Sequence, residues 1–166
     1  MEYNDYVRIT RTWLRWYRRF KANIKNLEMD IAEQEKVLKN DSTLAAPIAK
    51  YGDASSGGYS ELNVLERQAA HRIRMEQRLT SMMQDLTEVT RIVDKVNRAV
   101  DALDLNDQKI IQAYYMNGKS WGEISDVMHY SEKWARERGA KATREIAFII
   151  FGMRARPNGL KFVFAE

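Results

Sequence analysis

Cysteine is absent from the 166-residue chain, and histidine occurs only twice. The lack of thiols excludes disulfide bonds and thiolate metal sites, and two isolated histidines make no metal-binding cluster. This composition is typical of a protein that works in a reducing compartment. We therefore expect a cytoplasmic location and no bound metal.

Long apolar runs are missing as well. No segment approaches the length of a membrane span, and the opening residues MEYNDYVRIT lack the charged-then-apolar pattern of a signal peptide. We therefore expect a soluble, intracellular protein with no membrane partner.

Catalytic patterns are also absent from the sequence. Gly57-Gly58 lacks the lysine and the strand context of a phosphate-binding loop, and the carboxylates from Asp85 to Asp104 are scattered along one helix. Ser120 and Ser131 are better explained as helix caps than as nucleophiles. We expect no enzymatic activity, no catalytic residue and no cofactor.

The residues that are abundant predict a folded, mostly helical chain. Forty-five per cent of the residues are hydrophobic, while there are only eight glycines and two prolines. The length allows one domain, or a small domain with an extended helical part. The net charge of +4 favours an anionic partner.

The first helical segment extends from about Asn4 to Lys39, where apolar residues recur at alternating steps of three and four. Basic residues fall on the face opposite this stripe: Arg8, Arg11, Arg15, Arg18 and Lys25. They form either a second nucleic-acid-contacting surface or an ordinary solvated face. The solvated face is favoured, because on a helix the aromatic residues point away from the arginines and toward a core.

A second long helix is predicted after the loop 41–60, whose glycine and serine content is that of a flexible linker. Ser60 caps this helix, and its seam runs from Leu65 to Val100. Such a long helix needs a partner, either the first helix in an antiparallel hairpin or a second copy of the chain. Asn97 on the seam either fixes register and oligomeric state or marks where the seam reaches the surface.

The stretch from Asn106 to Ile146 predicts a helix-turn-helix, which begins with a short helix. Asn106 or Asp107 caps this helix, and it ends near Met116. Gly118 then supplies the left-handed residue that stops it.

The middle helix of this motif begins at Trp121, because Ser120 and Glu123 have the spacing of a capping box. It ends at the turn of His129, a residue that tolerates a positive φ better than most. Its expected buried stripe consists of Ile124, Val127 and Met128.

The third helix follows Ser131, its predicted N-cap, and has two different faces. Residues spaced for close packing form the inner face: Ala135, Gly139, Ala142 and Ile146. The outer face consists of long side chains that donate hydrogen bonds, placed around one small residue. A recognition helix in the major groove requires this arrangement. The DNA-binding residues expected from this arrangement are Lys119, Ser131, Lys133, Trp134, Arg136, Glu137, Ala140, Lys141 and Arg144. Arg138 is expected to flank them as a further phosphate contact.

The residues Glu123–Ser125, Val127–Ser131, Ala135 and Ala142 resemble the region 4 helix-turn-helix of sigma-70 factors. With a helical N-terminal half, a Gly/Ser linker and a Tyr-Tyr pair before the motif, the layout is similar to the ArpU/RinA-type transcription regulators of bacteriophages and prophages. This resemblance implies binding to double-stranded DNA in a bacterial host cell, with RNA polymerase as a further partner.

The chain departs from the sigma pattern inside the third helix. Trp134, Ala135 and Gly139 stand where that pattern has a threonine, a valine and a leucine. The resemblance therefore implies the fold of the motif but not the DNA site that sigma factors read.

We expect an all-α chain with a helical hairpin or coiled-coil scaffold at 1–104, a helix-turn-helix domain at 105–152 and a tail at 153–166. The expected function is that of a phage or prophage late-gene activator, which binds a promoter as a homodimer or higher homo-oligomer. Two alternatives stay open: a DNA-packaging protein like a small terminase subunit, and an interaction protein that does not bind DNA.

Overall fold

The computed structural model describes residues 3–40 and 58–155, and within them the side chains of residues 5–40 and 66–155. Its α-helices are α1 (Tyr3–Asn40), α2 (Gly58–Asp101), α3 (Leu105–Ile111), α4 (Trp121–Met128) and α5 (Glu132–Phe151). A π-helical turn, Gln112–Met116, continues α3, and a 3-10 turn, Gly152–Ala155, follows α5. The predicted all-α class is confirmed. Residues 41–57 of the predicted loop, and the tail beyond residue 155, lie outside the described residues. Because α2 begins at Gly58, the predicted end of the loop at residue 60 and the prediction that Ser60 caps α2 are wrong.

The chain divides into two compact units, and both long helices contribute to each of them. Of the described residues, 3–22 and 89–155 form what we call the large unit, and 23–40 and 58–88 form the small unit. In the small unit Ile31 is buried and Leu79 and Leu86 are half-buried, as the apolar periodicity predicts. Residues of the expected α2 seam nearer its start, such as Ala69, are exposed in the single chain.

The core of the large unit joins the beginning of α1 and the end of α2 to the C-terminal helices. Its buried residues are Leu14, Val96, Ala99, Val100, Leu103, Ile111, Ala142 and Ile146. Phe151 at the end of α5 also lies against Tyr6 and Trp13 of α1, with ring centroids 5.1 and 5.5 Å apart. The apolar end of α5 is therefore covered in part by α1 of the same chain, while Ile149 stays 40% exposed.

Asn97 is half-buried and links the two long helices within the large unit. The Tyr17 hydroxyl donates a hydrogen bond to Asn97 Oδ1 at 2.8 Å. Of the two interpretations of this asparagine, a role in the register of α1 against α2 gains support, because the bond forms at one alignment of the helices only.

A second cluster packs α4 against α3 and α5 around Ile110, Ile124 and Ala135. Gly139 of α5 is the point of closest approach. A Cβ at this position would lie 2.7 Å from Trp121 Cη2 and 3.3 Å from Ile110 Cγ2. Only a residue without a side chain lets the indole lie across the helix here.

The turns between these helices follow the predicted chemistry. Gly118 has a φ of 73° and His129 a φ of 57°, so both predicted left-handed positions are confirmed. The capping box is present as well: Ser120 Oγ accepts from the Glu123 N–H at 3.3 Å, and Glu123 Oε2 accepts from the Ser120 N–H at 2.7 Å. The hydrogen bonds from the Ser120 backbone and side chain lower the pKa of Glu123.

Two expectations for this region are wrong. Neither Asn106 nor Asp107 caps α3: the N-cap is Asp104, without a side-chain cap bond, and the Asp107 side chain is turned inward to an ion pair with Arg138. Val127 is 66% exposed rather than buried. The inward face of α4 is centred on Trp121 and Ile124, so Val127 falls about a quarter turn away from it.

The close approach at Gly139 can be tested by adding a single methyl group. Gly139→Ala should destabilise the protein by about 1–3 kcal/mol, because the Trp121 ring, stacked on Tyr114, has little room to move. Gly122→Ala is the matched control, since its Cβ would meet only Ser120 Oγ at 3.9 Å. We expect that control to be neutral or slightly stabilising, as alanine favours helices.

Denaturant unfolding measures both variants. If Gly139→Ala were as stable as Gly122→Ala, the packing of the indole against α5 would be wrong.

Candidate nucleic-acid interface

The face of α5 directed away from the core carries four cations. Its exposed members are Lys133, Arg136, Glu137, Lys141 and Arg144, with the half-buried Ala140 among them, and the exposed Glu132 and Glu145 lie at its edges. Four of these side chains are basic and three are acidic. Small Ala140 leaves the helix backbone accessible in the middle of the cationic face.

The opposite face of α5 is packed against the core. Ala135, Gly139, Ala142 and Ile146 are all buried. The predicted helix phase is therefore confirmed, and with it the outward direction of the cationic residues. Thr143, also buried, donates its hydroxyl hydrogen to the Gly139 carbonyl at 2.8 Å, so its polar group is satisfied.

Arg136 has an ion-pair partner that was not predicted from the sequence. Its guanidinium forms an ion pair with Glu132, one turn earlier on α5, and both side chains are about half exposed. The spacing of four residues was the available signal. Exposed pairs of this kind contribute only about 0–1 kcal/mol, so Arg136 can exchange this partner for a stronger acceptor at little cost.

Arg138 does not have the role expected of it. Its guanidinium forms an ion pair with Asp107 of α3, whose side chain is 2% exposed, and it reaches Asp104 at 3.4 Å. The hydrogen bond to Asp107 raises the pKa of Arg138. Expecting Arg138 to be a phosphate contact was wrong, because it neutralises a buried carboxylate and ties α5 to α3.

Trp134 and Ser131 lie at the N-terminal end of α5. The Ser131 hydroxyl accepts the Trp134 N–H at 3.2 Å, so the predicted cap is confirmed. The Trp134 ring is half-buried and stacks on Tyr130, with centroids 3.9 Å apart and planes at 23°. Tyr130 is 49% exposed. An aromatic surface therefore adjoins the cationic face at the start of α5.

Lys119 lies in the loop before α4 and is exposed. Its backbone N–H donates to the Ala113 carbonyl at 2.9 Å, which fixes the loop while leaving the side chain available. Another basic residue comes close to this loop: Arg18 Nη1 would lie 3.7 Å from a Cβ on Gly118. No sequence signal connects residues 100 positions apart in this way.

Across residues 3–40 and 58–155, no group of three histidines, cysteines or acidic residues is placed to hold a metal ion. Among the helices of these same ranges, none has the length and apolarity needed to cross a membrane.

No protein family model, no curated protein and no solved structure matches the chain. The resemblance to sigma region 4 and to the ArpU/RinA-type regulators therefore stays a prediction from the motif residues and the layout of the sequence.

The Arg138–Asp107 pair can be tested with a double-mutant cycle. Asp107→Asn and Arg138→Gln should each lower the free energy of unfolding, because each leaves the partner without its counter-charge. The double variant should lose less than the two single losses combined, since the residues are coupled. The exposed pair Glu132→Gln and Arg136→Gln is the control, for which we expect little coupling. If the losses of unfolding free energy from Asp107→Asn and Arg138→Gln were additive, the assignment of an ion pair between these residues would be wrong.

Proposed function

We propose that the protein is a sequence-specific regulator of transcription that binds double-stranded DNA, rather than an enzyme. The outer face of α5 is the proposed recognition surface. The observation that carries the proposal is the division of α5 into a tightly packed inner face and an outer face of four exposed cations around Ala140. A helix so held can enter the major groove without disturbing the core.

Each residue of the interface has a proposed role. Arg136 reads a base, because its planar guanidinium suits a bidentate contact to guanine. Lys119, Lys133, Lys141 and Arg144 contact phosphates, which supply most of the affinity that does not depend on sequence. Glu137 disfavours hydrogen-bond acceptors on the base edges. Trp134, together with the Ser131 cap, positions the start of α5.

The type of regulator proposed is a phage or prophage late-gene activator acting at a promoter, with contact to RNA polymerase. This finer part rests on the resemblance of Glu123–Ser125 and Val127–Ser131 to the sigma motif. A protein that places such a motif beside a promoter is well placed to meet polymerase.

A homodimer or higher homo-oligomer is the proposed working form. In the small unit, several large apolar side chains are exposed in the single chain: Met29, Val37, Ile73 and Met83. A second copy of the chain would cover them, and joining two recognition helices would make the second DNA contact effectively intramolecular.

The role of the α5 face is tested by removing one base contact and one phosphate contact. Arg136→Ala should weaken binding to the preferred sequence by about 1–3 kcal/mol and relax the preference at one base position. Lys141→Ala should weaken binding to all duplexes alike. Arg91→Ala, which removes an exposed charge of α2, is the control and should leave binding unchanged. Fluorescence titration with matched and unrelated duplexes gives the dissociation constant of each variant.

If neither α5 variant changed binding to any duplex, the recognition surface would lie elsewhere.

The oligomeric form is tested by the mass of the full chain in solution. Sedimentation equilibrium should give a dimer or a similarly small assembly. A monomer at the concentrations at which DNA is bound would contradict the proposal, and a large ring would favour a role in DNA packaging.

A further inference from the structure

The positive charge of the chain is concentrated in the first half of α1. Residues 6–22 contain six arginines and lysines and no acidic residue. The whole chain has 27 basic and 23 acidic residues, so the remainder holds 21 basic and 23 acidic residues and is net negative. The attraction of the protein for a polyanion therefore depends strongly on this segment.

Three arginines of this segment lie on one exposed stripe that no acidic group neutralises. Arg11, Arg15 and Arg18 follow at steps of four and three and are all exposed. In the part of the chain that the structure describes, none of them forms an ion pair. Arg8, one turn earlier, is paired with Asp5 at 3.2 Å. We call Arg11, Arg15 and Arg18 the arginine stripe.

The arginine stripe leads to the loop that precedes α4. Arg18 Nη1 would lie 3.7 Å from a Cβ on Gly118, and the next residue is the exposed Lys119. Both belong to the large unit. Arg18, at one end of the stripe, therefore lies beside the loop that carries Lys119.

The apolar side of this part of α1 is already occupied. Leu14 is fully buried in the core, and Trp13 packs against Phe151. An amphipathic helix that lies on a membrane needs a free apolar face to insert, and here most of that face is used within the fold, while Trp16 alone among the large apolar residues of 6–22 is exposed, at 48%. The charge of the stripe is therefore available to a polyanion that needs no apolar contact.

We propose that the arginine stripe binds the phosphates of duplex DNA and extends the interface beyond the segment contacted by α5. This inference rests on the proposed function. Arg11 and Arg18 are separated by roughly 10 Å along the helix, and their long side chains allow the three arginines to reach neighbouring phosphates of one strand. Such contacts add affinity for every sequence and fix the orientation of the protein on the duplex without reading bases.

The test compares two triple variants that change the net charge equally. Arg11→Gln, Arg15→Gln and Arg18→Gln together remove the stripe. Arg67→Gln, Arg74→Gln and Arg78→Gln remove three exposed arginines of α2 in the small unit. Binding of the full chain to a preferred and an unrelated duplex is measured over a range of salt concentrations, after circular dichroism has confirmed that both variants are folded.

We expect the stripe variant to lose affinity for both duplexes by the same factor. The slope of log K against log salt should become shallower by about 0.9 for each lost phosphate contact, or about 2.7 for three. The α2 control should keep the slope of the parent. An unchanged slope in the stripe variant, or an equal change in both triple variants, would overturn the proposal.

The inference and the proposed function fail in different ways. If Arg136→Ala weakens specific binding while the stripe variant binds like the parent, only the stripe proposal is wrong. If the stripe variant loses affinity while the α5 variants do not, the stripe is supported and the α5 face is wrong. If the stripe variant keeps its DNA affinity but loses binding to vesicles containing phosphatidylglycerol, the stripe is a membrane surface and the proposal is overturned.

Discussion

The close approach of Trp121 to Gly139 is the contact on which the proposed interface depends. Because Gly139 has no side chain, the indole lies across α5 and brings α4 into contact with it. The ring is held from the side of α3 by Tyr114, stacked at a centroid distance of 4.0 Å. This packing fixes the rotation of α5 about its own axis, and with it which residues face outward.

The ion pair of Arg138 with Asp107 acts on the same helix from another direction. It joins the middle of α5 to the start of α3 through a buried carboxylate, so α5 is held by α3 as well as by α4. Farther along α5, Ile146 and Phe151 pack against the large unit's core, which includes the beginning of α1 and the end of α2. The outer face of α5 is therefore supported by contacts with α1, α2, α3 and α4, an arrangement that would keep the ordering cost of the proposed DNA binding low. The same support places Arg18 beside the loop that precedes α4.

Local patterns in the sequence were sufficient to predict most of the secondary structure. The capping box of Ser120, the left-handed turn at His129 and the inward row from Ala135 to Ile146 each depend on residues within one or two turns of each other. The chemistry of such features is visible in a short stretch of sequence. The ends of α4, the start of α5 and the phase of α5 were therefore predicted correctly, whereas the starts of α2 and α3 were not.

The features that could not be predicted depend on contacts between distant parts of the chain. Arg138 and Asp107 are 31 positions apart, and the pull of this pair explains why Asp107 does not cap α3. The need for glycine at position 139 comes from Trp121, which occupies the space a side chain would fill, and only the packed structure reveals this. The π-helical turn at Gln112–Met116 allows adjacent tyrosines to serve different clusters, Tyr114 that of α4 and Tyr115 the main core. Predicting any of these three features requires knowing which helices pack against each other.

Selection of bound fragments from a pool of random duplexes tests the central claim, sequence-specific recognition of DNA, most directly. After several rounds of binding to the full chain, sequencing of the retained fragments should give one shared sequence. If two recognition helices act together, that sequence should contain two half-sites whose centres lie about 10–10.5 bp, or a multiple of this, apart. Recovery of fragments without any enriched sequence would contradict the account.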